Sequence, residues 1–475
     1  MKVPFRQKYS FGLGALGKDA VICFVGTFLS YYLTDVLYLA PAFVGSLFFG
    51  ARIWDAINDP IMGMFIDNTR TRFGKFRIWL TIGTLLNAVA FILLFTNFGL
   101  TGTNLYIYIA VAYVVFGMTY TIMDVPYWSW LPNLTNDPEE REKVSVIPRI
   151  FASLAGLLVG TFGLQAVQSL GNGNEQTGFF IISILISIFF IITIGITVTN
   201  VPEKSTLNQE KGAKITLKKM IQVITKNDQL LAFIGLLLTF NLAIQILNGF
   251  MIYYFKYVVG NETFFSLFFF TIFAEMLGLM LFPKVSQLLS REKTYVVACG
   301  MPIIGMLLLF ISGMYAPNNV VLVMGSGLIL KFGSGLSLGV TTVAIADCID
   351  YGELKFGTRN ESIICSAQTF LMKLAQAVSG LLTGVGLSLV GYVPNVQQSA
   401  SAITGIRVLT CIVPIIFVIL SLAIYRKFYK LKGARLQQLS LDVQELHEKE
   451  QTKTENVEMP SEANVESGTL ASESQ

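Results

Sequence analysis

Twelve apolar runs divide the chain, at roughly 10–36, 41–66, 78–97, 104–130, 148–170, 178–200, 229–255, 264–288, 294–314, 318–349, 362–392 and 402–425. A helix needs about 20 apolar residues to cross a bilayer, and each run reaches or exceeds that length. The pattern predicts an all-α membrane protein with twelve transmembrane helices. Run 318–349 is the longest. Gly325, Gly327, Gly333, Gly335 and Gly339 punctuate it, which predicts a broken or strongly tilted helix. The polar connection 201–228 splits the runs six and six, and Ile215 to Ile224 within it has the pattern of an amphipathic surface helix. Six plus six predicts two pseudo-symmetric bundles. The expected organisation is an N-terminal bundle at 1–200, a middle loop at 201–228, a C-terminal bundle at 229–430 and a tail at 431–475. The tail ends in the acidic, Ser-rich stretch Glu455 to Gln475 and is expected to be largely disordered.

Composition narrows the class. The 475 residues are 53% hydrophobic and 13% charged, whereas soluble domains carry about 25% charged residues. The net charge of +4 is spread over the loops, so no nucleic-acid partner is expected. Basic residues cluster in the loop 67–77, in the middle loop and after the last run, while the alternate loops 98–103, 171–177, 315–317 and 393–401 hold only Glu175. By the positive-inside rule both termini are cytoplasmic, as in a multi-pass protein of the cell membrane. No cleavable signal peptide is evident, because the first run contains Lys18 and Asp19 and lacks a small-residue cleavage site. The five cysteines are far apart and the one histidine, His447, lies in the tail. No nucleophile, metal pair or His-assisted base is assembled, so an enzyme is not expected, and no cofactor is.

The charges inside the apolar runs carry the chemistry. In Ala51 to Pro60, Asp55 and Asp59 are i,i+4 neighbours, with Arg52 one turn earlier and Asn58 alongside. A charge deep in a bilayer costs at least ~2.5–3.5 kcal/mol and seldom persists without use. Hard oxygen ligands on one helical face suit a small monovalent cation, and the competing expectation is an Arg–Asp pair that only locks helices. In the fourth run, Tyr120, Asp124 and Trp128 recur every four residues. A carboxylate between aromatic rings suits a sugar, whose hydroxyls donate to the acid while its C–H face lies on a ring. Asp19 can act likewise, with Lys18, Arg149 and Lys373 as donors. The competing expectation is a packing stripe or an interfacial belt. Further charges recur at Asp35, Glu275, Lys331 and Arg407, too many for one selectivity ring and suited to a cavity between bundles. The loop Gly63-x3-Asp67-x2-Arg70-x-Arg72-x-Gly74-Lys75-x-Arg77 has the spacing of a gate pinned by Asp–Arg pairs, and resembles the loop signature of the major facilitator superfamily.

Gly17-Lys18-Asp19, Tyr31-Tyr32-x-Thr34-Asp35, Ala51 through Pro60, Asp124-x-Pro126-x-Trp128-Ser129, Pro148-Arg149 and Asp350-Tyr351-Gly352-Glu353 together resemble the glycoside–pentoside–hexuronide:cation symporter family. The resemblance covers nearly all of residues 1–430. It implies a major facilitator fold and secondary active symport, by alternating access, of a glycoside such as a galactoside or melibiose-like disaccharide. The coupling cation would be Na⁺, or alternatively Li⁺ or H⁺. By resemblance, Asp55, Asn58, Asp59 and Thr121 match the cation site, and Lys18, Asp19, Tyr120, Asp124, Trp128, Arg149, Gln368, Thr369 and Lys373 match the sugar site. One departure is Leu338, where a melibiose-carrying member of the family has a tryptophan. Alternative expectations are a sodium-linked lysolipid carrier, or a hexuronide or pentoside symporter of the same fold.

Overall fold

The computed structural model describes residues 3–69, 71, 73–130, 134, 138–203, 225–356, 361–439, 441–443 and 445–446. These form twelve long helical segments. The first six are α1 (Phe5–Val36), α2 (Pro41–Asn68), α3 (Phe76–Leu94), α4 (Gly102–Trp130), α5 (Pro138–Leu170) and α6 (Glu175–Asn200). The second six are α7 (Asp228–Val259), α8 (Thr263–Leu289), α9 (Arg291–Tyr315), α10 (Val320–Phe356), α11 (Glu361–Leu389) and α12 (Ala400–Lys427). Eleven are long and apolar enough to cross a membrane. The other, α2, spans 28 residues and carries Arg52 and Asp55 midway. An even number of crossings puts both ends of the bundled chain on one face, called here the termini face.

Local signals set several helix starts. Pro41 opens α2 at a position where no amide donor is needed. Asn227 caps α7 by accepting from the Leu230 amide at 2.9 Å, and Asn174 and Ser399 cap α6 and α12 in the same way. At the far face, α1 and α7 both end in π-helical turns, Tyr32–Val36 and Tyr254–Val259.

The packing repeats. In the first six helices α1 packs on α5 and α6, α3 on α4 and α6, and α2 on α4. In the second six α7 packs on α11 and α12, α9 on α10 and α12, and α8 on α10. Adding six to each helix number turns the first set into the second. The bundles meet along α2·α11 and α5·α8, which the same operation exchanges, while α1 and α7 touch on the axis. Bilayer lipid gives little hydrophobic drive between helices, so close approach of small residues matters. A Cβ built on Gly384 of α11 would lie 2.2 Å from the Pro41 carbonyl and 2.6 Å from the Gly45 amide nitrogen.

Of the two expectations for the tenth helix, broken or strongly tilted, the break is not met. α10 runs unbroken for 37 residues, about 55 Å at the α-helical rise. Four of its five punctuating glycines serve packing instead, with Gly325 the exception: Gly335 lies against the Glu275 carbonyl of α8, and Gly333 against Pro302 and Met301 of α9. The expected helix at 215–224 and the acidic end 455–475 lie outside the described residues, as do Arg70, Arg72 and the Asp67 side chain. The described part of loop 67–77 is held to α6. Arg77 Nε donates to the Val198 carbonyl at 2.8 Å, and the Glu203 carboxylate accepts from the backbone amides of Lys75, Phe76 and Arg77 at 2.8–2.9 Å. That carboxylate caps α3 from the far end of the bundle's sequence.

Candidate functional site

Midway along α1, Lys18 is 1% exposed and must be neutralised there. Its Nζ donates to Asp19 Oδ1 at 3.0 Å and to Asp124 Oδ1 of α4 at 2.9 Å. The same Asp124 oxygen accepts from Trp128 Nε1 at 3.1 Å, one turn along α4. Around the ammonium stand the rings of Trp128, Tyr127 and Tyr120, with centroids at 4.9, 5.2 and 5.9 Å. Such ring faces attract a cation and cost no counter-charge. Asp19 Oδ2 is buried without a hydrogen-bond partner. The cluster therefore holds one unsatisfied acceptor, a half-buried indole and the Asp124 carboxylate, a quarter exposed. These groups line one cavity of about 240 Å³ between the bundles, together with Lys373 and Gln376 of α11. An unpaired carboxylate oxygen beside an aromatic plate is the complement of a polyol, with its row of O–H donors and apolar C–H face.

Arg52, Asp55 and Thr121 line the same cavity. Arg52 donates to Asp55 Oδ2 at 3.1 Å. Gly117 of α4 lets the helices approach here, since a Cβ on it would lie 3.0 Å from Asp55 Oδ1. Thr121 follows Gly117 by one turn on α4. Asn58 Nδ2, one turn after Asp55 on α2, is buried without a partner.

A second cavity of about 360 Å³ adjoins the first and shares Ile22, Val25, Arg52, Tyr113 and Gln376 with it. Beyond it the far face is tied shut across the bundle boundary. Asp35, in the π-turn of α1, accepts from Tyr257 and pairs with Lys256 at 3.5 Å, both in the π-turn of α7. Lys256 also donates to the Tyr31 hydroxyl at 2.8 Å, and Tyr31 in turn donates to Glu175 at 2.9 Å. Asn395 donates to the Asp35 carbonyl, Tyr253 bonds Ser30 and Thr34, and Gln168 donates to Glu262 at 2.7 Å. Among the described residues, these cross-bundle hydrogen bonds gather at this end.

The family described as MFS/sugar transport protein matches residues 10–433, most of the chain. The chain belongs to that family of membrane transporters. Among its relatives, the isoprimeverose transporter of Lactiplantibacillus pentosus is 29% identical over 453 residues, covering 94% of this chain and 93% of the relative. The raffinose carrier protein of Pediococcus pentosaceus is 29% identical over 394 residues, covering 79% of this chain and 61% of that longer protein. Among solved structures, the D-xylose-proton symporter superposes with a TM-score of 0.63 at 15% identity, covering 91% of this chain and 99% of that one. That likeness establishes the fold.

In the transporter, Lys18, Asp19, Tyr120, Asp124, Trp128 and Lys373 line one cavity, as do Asp55 and Thr121. Arg149 lies elsewhere: its side chain is exposed on α5 and lines neither cavity. Gln368 is half-buried on α11 and lines neither cavity, and the side chains of Asp59 and Thr369 lie outside the described residues. Leu338 is 40% exposed and also lines neither; the α10 side chain that does is Lys331, paired with Glu275 at 2.9 Å. Sequence reasoning missed Lys256, Tyr257, Glu262 and Asn395 at the far face. An internal repeat was the available signal: Tyr31-Tyr32-Leu33-Thr34-Asp35-Val36 ends α1, and Tyr253-Tyr254-Phe255-Lys256-Tyr257-Val258 ends α7.

Proposed function

We propose that the transporter is a cation-coupled glycoside symporter of the cell membrane, with both termini cytoplasmic. The observation that supports this most is the Lys18–Asp19–Asp124–Trp128 cluster on the wall of a cavity between two pseudo-symmetric bundles. Hydroxyls of a glycosyl ring donate to Asp19 Oδ2 and Asp124, Lys18 donates to a ring or hydroxyl oxygen, and the ring's C–H face lies on Trp128. The isoprimeverose and raffinose carriers among the relatives agree in substrate class. A lipid substrate suits this lining less, because it would set acyl chains against two carboxylates and an ammonium.

Cation coupling is assigned to α2 and α4. Asp55, Asn58, Asp59 and Thr121 supply hard oxygens for Na⁺, with Li⁺ or a proton on one carboxylate as the alternatives. Neutralising the α2 carboxylates draws α2 onto α4, where Gly117 permits contact, and α4 carries Tyr120, Asp124 and Trp128. Ordering the cation side of α4 thus preorganises its sugar side, and linkage requires the reverse effect to be equal, typically ~1–3 kcal/mol. The described conformation is closed at the far face; rocking the bundles about the site exposes it there instead.

Calorimetric titration of purified protein with Na⁺ and with glycosides tests both halves. Asp19→Ala should bind Na⁺ and not sugar. Asp59→Asn should bind sugar without Na⁺ enhancement and lose uphill accumulation in vesicles. Wild-type protein that binds no glycoside would end the sugar assignment, and Na⁺-enhanced binding in Asp59→Asn would move the cation site away from α2.

A further inference from the structure

The second cavity differs in chemistry from the first. It lies deeper, toward the tied far face, with Phe268 and Phe269 among its walls and its side-chain amides supplied by the second bundle. Three amides line it, Gln245 and Asn248 on α7 and Gln376 on α11. Among the described residues none of the three side chains makes a hydrogen bond, so each offers a free donor and a free acceptor. Gln245 and Asn248 are i,i+3 on one face of α7, and Gln376 belongs to both cavities. No carboxylate lines this space, and its two cations are already neutralised: Arg52 by Asp55 at 3.1 Å and Lys331 by Glu275 at 2.9 Å. The space is therefore electrically balanced, rich in two-way hydrogen-bonding groups and walled by aromatic rings.

We propose that this cavity is a second glycosyl subsite, in which Gln245, Asn248 and Gln376 bind the neutral polyhydroxy unit of a substrate whose first ring sits at Lys18, Asp19 and Asp124. The inference rests on the glycoside reading above and deepens it, since it makes the substrate a disaccharide or longer. The two cavities, about 240 and 360 Å³, together fall in the range of small-molecule sites, ~300–1,000 Å³. Amides suit the task because a sugar hydroxyl both donates and accepts, and a carboxamide answers both without drawing in an ion. The division also spreads the contacts over the molecule: the first ring is held chiefly by α1 and α4, and the second meets the amides of α7 and α11.

The test compares methyl α-galactoside with melibiose, and methyl α-xyloside with isoprimeverose, by calorimetry on the intact protein with Na⁺ present. Wild type should bind at least one disaccharide about tenfold or more tightly than its methyl glycoside, the worth of one or two added hydrogen bonds. Gln245→Leu and Asn248→Leu should each reduce that advantage to about threefold or less while leaving methyl-glycoside affinity unchanged, and that unchanged affinity shows the variants are folded. Melibionate, in which the second unit carries a carboxylate, should bind more weakly than melibiose. The proposal fails, with the glycoside reading intact, if the disaccharide advantage survives both substitutions, if both ligands weaken together, or if melibionate binds better. Absence of binding by every glycoside overturns the glycoside reading and this inference with it.

Discussion

Asp124→Asn isolates the charge of the site from its shape. The native Oδ1 accepts from Lys18 Nζ at 2.9 Å and from Trp128 Nε1 at 3.1 Å. Asparagine keeps one oxygen in that place, so the indole bond survives and the side chain's volume is unchanged. What is lost is the negative charge facing Lys18 and any sugar hydroxyl. Breaking a buried ion pair outright costs ~3–5 kcal/mol. Here Lys18 retains Asp19 at 3.0 Å, and Asp124 is a quarter exposed, so the loss of stability should be well below that, about 1–2 kcal/mol. Sugar affinity should fall further. A hydrogen bond to a charged group is worth ~1.5–3 kcal/mol against ~0.5–1.5 for a neutral one. Two hydroxyls bound to Asp124 then lose about 2 kcal/mol, or about 30-fold in Kd. Trp128→Phe removes the indole's hydrogen bond to that carboxylate but keeps the charge and an aromatic plate for the sugar, so it should cost less than Asp124→Asn, under about tenfold. Calorimetry at fixed Na⁺ reads both variants, with thermal unfolding as the control for stability. If Asp124→Asn binds sugar within about threefold of wild type, the carboxylate does not touch substrate, and the cluster serves only to fasten α1 to α4.

Gly384→Val forces the α2·α11 contact apart, because its Cβ would meet the Pro41 carbonyl at 2.2 Å. Overpacking by ~1–3 kcal/mol should shift the protein toward the far-face-open state about 5–150-fold, read as faster labelling of Cys23 by an impermeant maleimide added at the far face; an unchanged rate would refute it. Asp35→Asn, which weakens its hold on Lys256 and Tyr257, should accelerate the same labelling without altering the intrinsic affinity for sugar. Glu203→Ala removes the acceptor for three amides at the start of α3 and should speed hydrogen exchange at Lys75, Phe76 and Arg77, at a cost near that of a helix N-cap, ~0.5–2 kcal/mol.

Hydrophobic length was enough to read the number and order of the helices, because a bilayer leaves the backbone no spanning alternative to a helix in an apolar run of this size. Charges were legible for the same reason: Lys18, Asp19, Asp55 and Asp124 are too costly in lipid to be incidental. Their partnerships were not legible. Lys18 sits between both acids as their counter-ion, a pairing that uses two of its three N–H donors. The glycines of α10 misled because glycine marks both a helix break and a close contact, and in this bundle it marks the contact, as at Gly333 and Gly335. Lys256 and Tyr257 lie near the end of an apolar run, where polar residues pass for interfacial anchors. Only their crossing from α7 to Asp35 gives them another role, and that crossing is set by the tertiary fold. Arg149 shows the converse: its motif matched, yet its exposed side chain lines neither of the two cavities.

The two seams between the bundles are equivalent by topology and unlike in substance. Along α2·α11 backbone meets backbone where Gly45 lies against Gly380 and Gly384, with the Phe48 side chain beside them on Gly380; along α5·α8 the contact is the ring of Phe269 pressed on Gly160. Peptide groups in contact have no rotamer to change, whereas a phenyl ring can turn aside at modest cost. One seam is therefore a stiff fulcrum and the other a compliant bearing. A molecule with a two-fold blueprint will then swing as a lever with an off-centre pivot, and the wider stroke will fall on the α5·α8 side.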